Sequence, residues 1–391
     1  VRYSWSSLFN LRSAILNLNK EVLMPSEVFA MDLRASLQEN LYVKLDRLLD
    51  AAGFDDIIKE RHLIAIKLHF GEKGNTAYIP PTHLRHLVNR VHSLGAKPFL
   101  TDTNTLYVGT RTNSVDHLTT AIGNGFAYAV AGAPLTIADG LRGNSEVAVP
   151  VNLSIYDEVY LGADVIQADS LISAAHFKGH ELAGFGGTIK NLGMGCASRK
   201  GKLAQHCEIS PEFDAKKCIG CGECVIHCPV EAIELLKKKA KKDAEKCIGC
   251  GECVAVCPEE AVSIPWDSDT ARFQKKMVEY TVGVLKDKED RAFFLNFVSR
   301  VTPQCDCYGF SDVPLVKDLG ILASKDPVAI DQASVDLVNA QPALADCCLE
   351  TNTGPGEDKF RGVYPHIDWS IQLGYAQELG LGSREYKLEY V

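Results

Sequence analysis

Eight of the fourteen cysteines fall in two runs of one spacing, C-x2-C-x2-C-x3-C-P. The first run is Cys218, Cys221, Cys224 and Cys228; the second is Cys247, Cys250, Cys253 and Cys257. KCIGCGECVIHCPVEAI and KCIGCGECVAVCPEEAV align at an offset of 29 residues. Three thiolates separated by two residues can wrap one corner of an iron–sulfur cubane, while the fourth lies too far round the loop and reaches the other cluster. The spacing therefore predicts two [4Fe–4S] clusters. One is assigned to Cys218, Cys221, Cys224 and Cys257, the other to Cys247, Cys250, Cys253 and Cys228. Gly220, Gly222, Gly249 and Gly251 allow the tight backbone turns this wrapping needs. Zinc sites pair two short knuckles and need no third cysteine at this spacing. Disulfides staple small secreted domains; a chain of 391 residues, 46% hydrophobic, needs no such help.

A second stretch carries different chemistry. Residues 173–196 read SAAHFKGHELAGFGGTIKNLGMGC. If HFKGH continues a strand, His176, Lys178 and His180 share one face; if it is helical, only the histidines do. Imidazole is a common metal ligand and titrates near neutral pH. The plainer reading is that His176 caps a strand and His180 bonds a backbone group. In GFGGTIKN, Gly186 and Gly187 precede a predicted helix start, where free N–H groups and the helix dipole suit an anion, and Lys190 adds charge. A tight turn without a ligand is the alternative. Lys67 and His69 alternate onto one face of LIAIKLHF. Asp102 and Asp139 each follow a strand, and Arg142 stands close enough in sequence to pair with Asp139 or with an anion. Cys305 and Cys307, spaced C-x-C on one face of an extended segment, are placed for chelation or thiol chemistry, with Cys196 and Cys207 as further ligands to a third metal. Cys347 and Cys348 read as core.

These residues need a frame, and periodicity supplies one. Helices are predicted over 41–53, 82–95, 115–125, 277–288 and 327–339, with Asp326 as N-cap and Pro327 at the first helical position. Strands are predicted over 63–70, 97–103, 135–141, 163–177 and 292–301. Strands alternating with helices imply β-α-β units and a mostly parallel α/β sheet. Asp331 falls on the apolar stripe of its helix and needs a partner: a salt bridge, or a role in a site. The α/β pattern stops near residue 210 and resumes after 265. The expected division is therefore an α/β domain over 24–210 and 266–391, with an inserted ferredoxin-like α+β two-cluster module at 211–265; two consecutive domains are the alternative. LLKKKAKKDAEK (235–246) reads as a solvated helix face, or as a docking patch for an acidic redox partner. Residues 1–23 read as a non-native extension before Met24, with an amphipathic helix as the other reading. No small-residue cleavage site follows them, which argues against a signal peptide.

Residues 211–265 resemble a bacterial two-cluster ferredoxin, which implies single-electron transfer at low potential. The flanking sequence resembles the iron–sulfur centre proteins of the domain-of-unknown-function 362 family. That resemblance rests on KLHFGE (67–72), TDTNTLY (101–107), ADGLRGN (138–144), HFKGHELAGFGGTIKNLGMGC (176–196), CDC (305–307) and GILASKDPVAIDQASVD (320–336). It implies an α/β domain joined to a two-cluster module, with a distant fold likeness to nickel-pincer lactate racemase that assigns no function.

A net charge of −9 argues against a broad nucleic-acid surface, and no apolar run approaches the ~20 residues of a membrane span. The expectation is a cytoplasmic, anaerobic iron–sulfur protein that exchanges electrons with a redox protein partner. One alternative is a redox enzyme, in which Lys67, His69, Arg142, His176, Lys178 and His180 act on a small anionic substrate. Another is cluster or metal delivery.

Overall fold

The computed structural model describes residues 25–107, 109–206, 211–247, 249–263 and 269–391. The expected extension at 1–23, the start at Met24, and Cys207 lie outside the described residues. Among the described residues one eight-stranded sheet forms from β1 (Ser26–Met31), β2 (Leu63–Lys67), β3 (Lys97–Asp102), β4 (Leu135–Ile137), β5 (Ser170–His176), β6 (Ala292–Val298), β7 (Gly320–Ser324) and β8 (Tyr386–Tyr390). Their order across the sheet is β8-β1-β7-β6-β5-β2-β3-β4. Seven strands point one way; β7 is antiparallel to both its neighbours.

The central strands are apolar on both faces, as buried parallel strands must be. Ile64 and Ile66, Ile172 and Ala174, and Phe293, Leu295 and Phe297 face one core, with helices α1 (Leu41–Ala51) and α2 (Pro81–Ser93). Their alternates Ala65, Leu171, Phe294 and Val298 face the other core. That side is covered by α3 (Thr188–Gly193), α5 (Thr270–Leu285) and α6 (Pro327–Asn339), while α4 (Arg199–His206) lies between α3 and the cysteine-rich segment in sequence. Asp326 caps α6 as expected, accepting the Val328 and Ala329 N–H groups at 2.8 Å.

The chain lays down β2, β3 and β4 outward on one side and β5, β6 and β7 outward on the other, so its direction reverses between β2 and β5. Right-handed crossovers then put the helices of the two halves on opposite faces. The crevice outside the carboxyl ends of the strands at such a reversal is where open α/β sheets bind ligands.

The sheet takes strands from both sides of the cysteine-rich segment. That segment closes on itself, since Glu212–Phe213 pairs antiparallel with Val262–Ser263. Two expectations are corrected. The lysine-rich stretch is a hairpin, Ile233–Leu236 paired with Lys239–Lys242, and not a helix; Lys237 and Lys238 form its turn with positive φ. Over 163–177, a helical turn (Ala163–Gln167) precedes β5. No helix among the described residues is long and apolar enough to cross a membrane.

Candidate active site

At the reversal point lies a cavity of about 680 Å³. Lys67, the last residue of β2, and Asp102, the last of β3, form an ion pair at 3.0 Å on its wall. Burial alone would raise the Asp102 pKa, but Lys67, His117 and Arg111 hold it below its usual value. Asn191 of α3 receives Lys67 Nζ at 3.0 Å. His69 also lines the cavity; its Nδ1 accepts the Gly71 N–H and its Nε2 lies 3.0 Å from Arg111. Burial, reinforced by Arg111 and Lys178, pushes its pKa well below the imidazole range, so the ring is neutral.

HFKGH is neither one strand nor a helix. β5 ends at His176, and Lys178–His180 forms a separate hairpin strand with Gly184–Gly186. Lys178 and His180 line the cavity, whereas His176 does not. His176 Nδ1 bonds the Asp306 carboxylate at 2.8 Å, and its Nε2 faces the Ser299 and Arg300 carbonyls. Both ring nitrogens are thereby occupied, and the assignment of His176 as a reacting group is corrected to an anchor. His180 Nδ1 accepts the Leu182 and Ala183 N–H groups, which leaves its proton on Nε2. Burial and Lys190 push its pKa well down.

The anion expected at the Gly186–Gly187 turn is supplied by the protein itself. Asp331 accepts the Thr188 N–H at 2.7 Å and the Ile189 N–H at 2.9 Å, so it fills the α3 N-terminus. A Cβ on Gly187 would lie 2.3 Å from Asp331 Oδ1, which explains the glycine. Asn296 of β6 donates to the same oxygen. Lys190 turns the other way, into the cavity, and its Nζ lies 3.4 Å from Cys305 Sγ.

Cys305 and Cys307 both line the cavity, on a turn closed by Tyr308 N–H to Cys305 O at 3.1 Å, not on an extended segment. A hydrogen bond from Cys307, with Lys190 and Lys178 nearby, holds the Cys305 thiol well below its usual pKa against its burial. The same bond, with burial, pushes Cys307 well above. Cys196 belongs elsewhere: it packs in the core, and burial pushes its thiol up to about 12. Among the described residues, no three His, Cys, Asp or Glu side chains converge on a single-ion site. The third-metal assignment to Cys305, Cys307 and Cys196 is corrected on that ground. Cys347 packs half-buried against the core as expected, but Cys348 is exposed.

Sequence reasoning missed several groups. Arg111 binds Glu72 at 3.0 Å and the Tyr107 hydroxyl at 2.7 Å. Asp306 ties His176 to Lys178, and Lys202 and His206 enter from α4. Glu72, Tyr107 and Asp306 stand inside the motifs KLHFGE, TDTNTLY and CDC; nothing local marks Arg111. The lining carries five basic side chains against three acidic ones, a balance that favours an anion.

Arg142 is absent from the cavity lining. It pairs with Glu252 Oε1 at 3.1 Å, and Arg199 holds the other Glu252 oxygen, so both arginines clamp the cysteine-rich segment to the sheet. Arg142 therefore does not pair with Asp139. Asp139 Oδ1 accepts two hydrogen bonds from Asn104 at 2.9 Å, while Oδ2 has no partner among the described residues. Burial pushes its carboxyl up to about 6. The folded state thus holds the proton to higher pH than the unfolded chain, whose reference value is 3.8. Its stabilising contribution is fully present below that reference value and is lost as pH rises through about 6. Asp139→Asn keeps the Oδ1 acceptor, so its thermal midpoint relative to wild type is expected to rise between pH 5 and pH 7.5. A difference that does not change with pH would refute this.

Each cysteine set predicted from spacing surrounds its own cavity. Cys218, Cys221, Cys224 and Cys257 line one; Cys228, Cys247, Cys250 and Cys253 line the other. Backbone N–H groups of Ala232 and Ala261 point at Cys228 and Cys257 sulfurs at 3.2 Å, a geometry suited to thiolates. Burial and the adjacent cysteines push Cys253 up to about 12, so these thiols ionise together only around a positive core. A cubane spaces its four thiolates wider than one ion does, and the residues present fit it. Leu106, on the cavity wall, packs with Leu203, Val254 and Val262, which Cys253 and Cys257 also contact.

A family model described as domain of unknown function (DUF362) matches residues 64–336. Ferredoxin-2 of Desulfomicrobium norvegicum is 67% identical over 27 residues, 7% of this chain and 46% of that protein, so the chain spans less than half of this relative's length. The cysteine-rich stretch is of ferredoxin type. Among solved structures, the lactate racemase apoprotein from Thermoanaerobacterium thermosaccharolyticum aligns with a TM-score of 0.36 and 14% identity, covering 70% of this chain and 51% of that one. A protein from Thermotoga maritima aligns with a TM-score of 0.40 and 10% identity, covering 78% and 60%.

Proposed function

The chain belongs to the DUF362 family, and from that premise and its cavity we propose that it is an iron–sulfur redox enzyme acting on a small anionic substrate. The observation that carries this reading is Leu106, one side chain that both lines the cavity and packs against the ferredoxin-type segment. Two [4Fe–4S] clusters would be held by the two cysteine sets, and when bound they supply single electrons at low potential. Lys178 and Lys190 bind the anion. His180 donates its Nε2 proton in a hydrogen bond that orients it. Leu182, Met194 and Phe273 on the same wall exclude water, which strengthens these charge contacts. Cys221, Ile219 and Ile226 are exposed and form the side a redox protein partner would meet.

The test follows reoxidation of the dithionite-reduced protein, without oxygen, by its visible absorbance. At least one small carboxylate or anionic disulfide is expected to accelerate it. Lys190→Met should slow that reaction by roughly 100-fold, as loss of one aimed charge does, with iron content unchanged. A plain electron carrier would be indifferent both to the anion and to Lys190, and that result would overturn the reading.

A further inference from the structure

We propose that Cys305 and Cys307 are a redox-active dithiol that reduces a small anionic disulfide bound in the cavity and closes as a Cys305–Cys307 disulfide. The inference rests on reading the cavity as the reacting site. A cysteine buried for packing alone keeps its proton among apolar neighbours, as Cys196 does. Cys305 is equally buried, yet Lys190 Nζ lies 3.4 Å from its sulfur, and Cys307 lines the same cavity two residues on. That contact favours charge on Cys305 Sγ, which makes it the attacking sulfur, with Cys307 as the resolving thiol. Both are free thiols in the structure.

The turn is built to hold this pair. Asp306, between the two cysteines, is wholly buried against His176 at 2.8 Å and Lys178 at 3.6 Å. Its carbonyl accepts the Glu72 N–H at 3.0 Å, and the Tyr107 hydroxyl reaches the Cys307 carbonyl at 3.3 Å. The backbone is therefore pinned on both sides of Cys305–Cys307. A turn of this kind keeps the two Cα atoms within the roughly 7 Å a disulfide allows.

The step balances with the pair alone. The Cys305 thiolate attacks one sulfur of R–S–S–R; the Cys305–S–R bond forms, the substrate S–S bond breaks, and RS⁻ departs. Cys307 passes its proton to that RS⁻, and its sulfur attacks Cys305. The Cys305–Cys307 bond forms, the S–S bond between Cys305 and the SR group breaks, and a second RS⁻ leaves beside Lys190. The substrate gains two electrons and the pair loses two. Return to the dithiol takes two electrons and two protons, from an external dithiol in the test below.

The experiment uses the iron-loaded protein without oxygen and dithiodiglycolate, a small dicarboxylate disulfide, as probe. After acid quench and maleimide alkylation, the peptide carrying both cysteines is weighed. In wild type both sites should lose alkylation together, with the peptide lighter by two hydrogens, and dithiothreitol should restore both. Cys307→Ser should retain a thioglycolate adduct on Cys305, and Cys305→Ser should form neither product. Full alkylation of both wild-type cysteines after treatment would overturn the proposal, and wild type alone suffices for that result. Iron counted in the same samples reads the cluster assignment separately, because the pair can fail to close with iron intact.

Discussion

Cys228→Ser is expected to lose about four of about eight iron atoms, and the iron it loses belongs to the second cysteine run. Cys228 stands on the first run, but it lines the cavity of Cys247, Cys250 and Cys253. Cys257, on the second run, lines the cavity of Cys218, Cys221 and Cys224. Pairs of substitutions expose the crossing. Cys228→Ser with Cys250→Ser should lose no more iron than either alone, about four atoms. Cys224→Ser with Cys250→Ser should lose nearly all of it. If Cys228 served its own run, the first double variant would be almost iron-free. Anaerobic iron and sulfide assays on the variants decide between these outcomes.

Asp306→Ala is expected to destabilise the fold by about 3–5 kcal/mol, the cost of removing one member of a buried ion pair. Asp306 is fully buried and is the shared partner of His176 and Lys178. Without it, two buried basic groups lose the carboxylate they share. Burial alone would raise the Asp306 pKa, yet His176 and Lys178 hold it well below its reference value of 3.8. The sign follows: its contribution is fully present above that value and fades only as pH falls below it. Asp306 stays ionised from pH 6 to pH 8, so its own titration adds no pH dependence to the deficit there. Denaturant unfolding at two pH values measures it, and a loss under about 1 kcal/mol would place the carboxylate among weak surface pairs.

What was legible in the sequence was local. The cysteine sets could be assigned because ligand spacing in a short loop fixes reach. Most helices and strands followed from periods of 3.6 and 2; the strand expected over 63–70 ends at Lys67, and His69 lines the cavity with it from the following loop. Two of the failures share one cause, partners far away in the chain. Asp331 was recognisable as a buried carboxylate, but its partners at Thr188 and Ile189 lie more than 140 residues earlier. Arg142 found Glu252 across 110 residues, within the cysteine-rich segment. HFKGH divided because Phe177 is itself core, buried between β5 and the hairpin. The lysine run misled because lysine suits exposed hairpin edges as well as helix faces.

The place of β1 sets the order in which this fold can be completed during synthesis. Its sheet partners are β7 and β8, the last two of the described strands. The earliest described strand is thus held by the latest. β5 likewise waits for β6 across more than a hundred residues, and that interval contains all eight ferredoxin-type cysteines. Loop closure over such distances is slow, whereas the cysteine-rich segment pairs its own two ends. On a growing chain the segment emerges complete while β5 still has an open edge. Metal loading can therefore precede closure of the sheet, and a chain short of iron would carry an unfinished insert at the moment its longest-range strands must pair.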